Sequence, residues 1–366
     1  MMKYWTYGFL IVFFALSSLS ESFARRIHFT EEQKAQLANV QTVFIKILAL
    51  TERGRADGAP LEEVVKRRLE EMEYTIVTDR KSPHDVEFRV KCEERKKWAG
   101  TTRAGGDAEM VDAPARLWKG PACLFGYHLN GRDLGWYKEV RTDFDDAIQA
   151  AQKAKVKKSG DYALSQLKIK LEEYDFPVMI TAEWGQDDRL LKLLDNPQTS
   201  KQRKLTILKV MTSISSHESL PHLKEIIKDP ALAEEGIAAM TATGSDAIPY
   251  LTELFKTSED STLRAAAAKG LGDIGATTGD PSITPPLLDY LNENLQHMES
   301  SKDIDFPVLT EVVWSLGKLR NENSIAPITK LQEKIWLIYD TSAEMKTLRD
   351  ATNWTFKQID LDGQIQ

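Results

Sequence analysis

Two cysteines, six histidines, one glycine-rich run and many carboxylates are the side chains from which this chain could build chemistry. Cys92 and Cys123 both fall in predicted strands, and three states are open to them. They form a disulfide, stay as two buried thiols, or hold zinc together with His84 or His128. A disulfide would close a loop of about 30 residues, worth about 3 to 4 kcal/mol on the chain-entropy model. Their spacing matches no structural zinc pattern. His28, His84, His128, His217, His222 and His297 are scattered, and none has a second histidine four residues on. The helical zinc-protease motif is therefore absent, as is the GxSxG turn of a serine nucleophile. Residues 100–107, GTTRAGGD, are glycine-rich but lack the Lys-Ser/Thr that grips nucleotide phosphates. Paired acids such as Glu62-Glu63 and Glu70-Glu71 read as solvated helix faces. No catalytic residue, metal ligand or cofactor is assigned, and a noncatalytic protein is expected.

The long loop at 98–120 is the best ligand-contact candidate of the N-terminal half, because loops of this length inside a compact domain are usually functional or disordered. Trp98, Arg103, Arg116 and Trp118 would be its anchors, since exposed Trp and Arg favour contact surfaces. The competing reading folds both tryptophans back onto the sheet.

Around these residues the chain divides into segments. Residues 1–24 read as a secretory signal: Lys3, the apolar run YGFLIVFFAL at 7–16, and Ser22-Phe23-Ala24 before a cleavage that leaves Arg25 first. The rival reading is an uncleaved membrane anchor; the run is about half the roughly 20 apolar residues that span a bilayer, so no membrane span is expected after cleavage. A periplasmic or secreted location follows. The formal net charge of −7 argues against nucleic acid or an anionic membrane as partner.

Residues 25–158 read as a small α+β domain. Thr30 and Gln33 form a capping-box pattern for a short helix. Residues 41–50 follow as a strand, or as that helix continuing, and 54–58 as a turn. Residues 60–72 are an amphipathic helix with Leu61, Val64, Val65, Leu69 and Met72 on one face. Strands are expected at 74–77 and 85–92, then a hairpin around Asn130-Gly131, and a helix at 144–156. Three or four antiparallel strands result. In element order alone this is similar to accessory domains of bacterial envelope proteins such as the TolB amino-terminal domain.

Residues 159–366 read as helices in pairs. Pro221, Pro249, Pro286 and Pro327 each stand at the start of a helix and recur at steps of about 28 to 41 residues. Residues 261–275, STLRAAAAKGLGDIG, form a first helix ending on Gly272 and Gly275, with Ala265 to Ala268 as packing. Leu271-Gly272-Asp273-Ile274 matches Leu316-Gly317-Lys318-Leu319 about 45 residues on. Large apolar groups at 176–184, and Trp336, Trp354 and Phe356 at the other end, are read as caps.

The pattern resembles the HEAT repeat family over about residues 161–360. The resemblance implies an all-α HEAT-like helical-repeat solenoid, a scaffold that presents a concave face to a protein or peptide partner. The residues beside the apolar stripe of the second helices would then make contact: His222, Glu225, Tyr250, Glu253, Asp289 and Glu293. The Ala-rich repeat also resembles those of phycobilin lyases, which implies the alternative of an enzyme or chromophore-handling protein. A structural component of the envelope is the third reading.

Overall fold

A computed structural model describes residues 29–94, 120–214 and 217–359. The signal expected at 1–24 and the contact residues Trp98, Arg103, Arg116 and Trp118 lie outside the described residues. The chain divides into two compact units, Met1–Pro177 and Val178–Gln366. The polar break at 153–160 predicts a division near residue 158. The division instead follows helix α4 (Ser159–Glu173), which packs on the sheet of the first unit.

The first unit is a small mixed sheet with helices. Helix α1 (Glu31–Ala38) begins with the expected capping box between Thr30 and Gln33, and strand β1 (Thr42–Thr51) follows. The segment expected as a plain turn contains a short strand, β2 (Gly54–Arg55), folded back on the end of β1. Helix α2 (Ala59–Glu70) buries Leu61, Val64, Val65 and Leu69, the predicted stripe. Strands β3 (Thr75–Val77), β4 (Val86–Glu93), β5 (Ala122–Leu129) and β6 (Arg132–Arg141) complete the sheet, in the order β2-β1-β4-β5-β6 with β3 beside the start of β1. The expected all-antiparallel arrangement is corrected: β1 runs parallel to both β3 and β4. Helix α2 lies between β1 and the later strands, so the chain returns to the starting edge before β3 and β4, which is how parallel pairs are connected. The β5–β6 hairpin turns at Asn130 (φ 52°) and Gly131 (φ 75°), the two positive angles that such a two-residue turn requires.

Val86, Phe88 and Val90 of β4 are buried, as their alternation predicts. Phe88, Phe125 and Phe176 stack at centroid distances of 5.1 to 6.2 Å and are fully buried. Helix α3 (Ala147–Lys153) is capped by Asp146 and packs on α4. Arg68 of α2 reaches Asp175 at 2.8 Å and Glu71 at 2.7 Å, which ties α2 to the segment after α4.

Helix α5 (Phe176–Glu183) spans the division between the units, and the second unit is helical. Its helices are α6 (Asp187–Asp195), α7 (Lys201–Met211), α8 (Leu220–Ile226), α9 (Ala233–Thr241), α10 (Ile248–Thr257), α11 (Ser261–Thr278), α12 (Thr284–His297), α13 (Phe306–Leu319), α14 (Ile325–Leu337) and α15 (Ala343–Ile359). Proline lies in the first turn of α8, α10 and α12, where its missing N–H leaves no bond unmade. Helices two apart in sequence pack together: α7 on α9, α9 on α11, α11 on α13, and α13 on α15. Helix α8 meets α10 through Lys224, which sits 3.2 Å from the centre of the Tyr250 ring. Helix α10 meets α12 through Phe255 and Tyr290, 5.4 Å apart.

Gly272 and Gly275 do not end α11, which runs on to Thr278 and stops at Gly279 with φ 68°. Their role is close approach. A Cβ on Gly272 would stand 2.3 Å from Ser315 Oγ of α13, and one on Gly317 would stand 2.7 Å from Thr355 Oγ1 of α15. The same hydroxyls bond the neighbouring backbone: Ser315 Oγ donates to Ala268 O and Thr355 Oγ1 to Val313 O, each at 2.8 Å. At the far end Trp354 packs on Trp314, 4.8 Å between centroids, in keeping with a cap. Trp336 is 61 % exposed, with the Arg349 guanidinium of α15 5.2 Å from its ring centre.

Candidate functional site

Cys92 and Cys123 are directly opposite one another on β4 and β5, and their sulfurs are joined at 2.03 Å. This excludes both the free thiols and a zinc site that uses them. His84 Nδ1 lies 2.8 Å from Ser82 O, while His128 Nε2 lies 3.2 Å from Asp133. Among the described residues, no group of three or more His, Cys, Asp and Glu could hold a metal ion. No helix among them is long and apolar enough to cross a membrane.

The six contact residues expected on the second helices fall two each on α8, α10 and α12. Glu225, Glu253, Asp289 and Glu293 are exposed; His222 and Tyr250 are half-buried. The half-buried pair is held in place. His222 Nδ1 lies 2.6 Å from Asp195 Oδ2 of α6, and Tyr250 carries the Lys224 ammonium on its ring face. Glu225 pairs with Lys228 at 2.7 Å within its own turn. Beside Asp289 and Glu293, Tyr290 is pushed up to about 12 by burial and the nearby Asp305 charge. Its phenol therefore stays neutral, with the Arg264 guanidinium 4.9 Å from its ring centre.

A second feature lies on the other row of helices and was not evident in the sequence. A cavity of about 350 Å3 opens between α9 and α11 and reaches Glu311 of α13. Its floor is Ile237, Ala265, Ala266 and Gly270, and the exposed Glu234, Ala238 and Lys269 stand at its rim. Gly270 lets α9 and α11 approach closely beneath it: a Cβ there would stand 2.5 Å from Thr241 Oγ1. The alanine run thus divides its work. Ala267 and Ala268 are fully buried packing, whereas Ala265 and Ala266 line the cavity. Asp273 is paired with Lys318 at 2.7 Å. Burial pushes the Glu311 carboxyl up, Lys269 and Lys318 pull it back, and Asp273 raises it further. The Glu234 and Glu311 carboxylates have no hydrogen-bond partner among the described residues. The available signal was the composition of α9 and α11, where small residues fall on the same helix faces as isolated charges.

Among the described residues that line the cavity there is no serine, cysteine or histidine. No known protein-family model matches the chain, and no curated protein matches it.

Proposed function

We propose that this chain is an exported, noncatalytic interaction protein whose second unit is a HEAT-like solenoid. It binds a protein or peptide of the cell envelope along a concave face formed by its second helices. The carrying observation is the packing of helices two apart in sequence, α7 to α15, held at fixed spacing by Gly272 against Ser315 and Gly317 against Thr355. Stacked helix pairs bury a continuous core and leave an extended surface, and that geometry suits recognition. Export is supported by the joined cysteines in a chain whose first 24 residues read as a signal.

The test is capture from an envelope extract by the mature chain. A variant with His222, Glu225, Tyr250, Glu253, Asp289 and Glu293 all changed to Ala is expected to lose the captured partner while keeping its helical content. Unchanged capture by that variant overturns the reading. A coloured or mass-detectable small molecule that copurifies with the chain would also overturn it, in favour of a ligand-handling protein.

A further inference from the structure

The cavity between α9 and α11 is separate from the second-helix surface and calls for a different occupant. It is lined on α11 from Thr262 to Asp273. At 1.5 Å per residue that is about 16 Å, the length of four to five extended residues. The floor of alanine, glycine and Ile237 offers apolar contact but no bonding groups, and the uncharged hydroxyls of the lining are those of Thr212, Thr241 and Thr262. Charge is carried at the ends. Glu234 lies on the first turn of α9, and Lys269 lies near enough to Glu311 to act on its charge.

Glu311 decides the sign of the ligand. Its carboxylate is half-buried and lacks a hydrogen-bond donor among the described residues. Lys269 and Lys318 lie near enough to act on it, yet its proton is still held more tightly than in water. The local balance thus still penalises the bare negative charge, and an incoming cationic donor relieves that penalty. An incoming acid would add to it. A basic side chain also matches the floor, because its aliphatic stem lies along apolar surface while its head stays polar.

We propose that this groove binds an extended peptide segment of about five residues through one arginine or lysine, whose charged head pairs with Glu311 and whose stem lies over Ala266 and Ala238. The site is additional to the second-helix surface, and it stands or falls separately from it.

The test is fluorescence polarisation of the mature chain at low salt with a labelled, terminally blocked pentapeptide, four alanines around a central arginine. Two comparison peptides carry citrulline, which keeps the shape but lacks the charge, or glutamate at the centre. The arginine peptide is expected to bind at least tenfold more tightly than either. Glu311→Gln, which keeps side-chain volume, should remove that preference, and Ala238→Trp, an exposed position, should block the groove and weaken the arginine peptide at least tenfold. The proposal is overturned if the arginine peptide does not bind, if citrulline or glutamate binds equally well, or if Glu311→Gln leaves the preference intact. The six-residue variant of the second helices should bind the arginine peptide as the unaltered chain does. If it does so while losing its envelope partner, the two sites are distinct; if it loses the peptide too, the groove assignment fails.

Discussion

At the scale of single residues, Asp85 shows how one carboxylate fixes a local structure. Burial acts to raise its pKa, but the backbone N–H groups of Gln41 and Thr42 and the Thr42 hydroxyl all donate to Oδ2, at 2.9, 2.7 and 2.8 Å. The bonds win, and the group titrates below the ordinary aspartate value. A folded pKa below the unfolded one adds stability that is present above the unfolded value of about 3.9 and is lost as pH falls through the folded value. Asp85 is exposed, so solvent screening discounts these bonds, and Asp85→Ala is expected to cost about 0.5 to 1.5 kcal/mol at pH 7, measured by urea unfolding, with the difference from the unaltered chain shrinking below about pH 4. A difference independent of pH would show that the ionised carboxylate is not the source. Nothing in the sequence marked this aspartate, because its partners lie more than 40 residues away. Cys92 and Cys123 were legible as candidates, and the strand register that sets them opposite each other decided between the three states. Glu311 and Glu234 were not legible: an isolated acid on a helix looks the same whether it faces open water or a groove.

At the scale of elements, patterns internal to one helix or one turn are legible in the sequence. The α2 stripe, the Thr30 capping box, the Asn130-Gly131 hairpin and the prolines opening α8, α10 and α12 each depend on near neighbours alone. What the sequence hides depends on a second element. Gly272 and Gly275 read as a helix end because glycine favours left-handed caps, yet both sit inside α11 because α13 and the loop residue Ile283 occupy the space a side chain would take. Gly272→Ala sets this against the propensity argument. By helix propensity alone the change should stabilise α11 by about 0.5 to 1 kcal/mol. By packing, the new methyl meets Ser315 Cα at 2.8 Å, a backbone atom that moves only with its helix. A net loss of about 1 to 3 kcal/mol is expected from denaturant melts. A gain would mean that α11 and α13 are not in close contact.

At the scale of the whole molecule, the order of a sheet-containing part and a helical part was legible from the change of apolar period, from alternation to helical spacing. The division between units was not. Helix α4 has the character of the helices that follow it, and only its contacts with α2, β1, β4 and β6 assign it to the first unit. The parallel pairing of β1 with β4 was hidden for a like reason, since strand direction is set by the crossover and not by the strand residues. The repeat-like order of the second unit is visible in its prolines and its two Leu-Gly steps, and the proposed function rests on the surface that a stack of such pairs would expose. Carbodiimide labelling of carboxylates on the mature chain, with and without the partner recovered by capture, tests that account most directly. Labelling of Glu225, Glu253, Asp289 and Glu293 is expected to fall when the partner is added, while Glu234 on the other row of helices keeps its reactivity. Undiminished labelling of all four, with protection confined to other carboxylates, would contradict it.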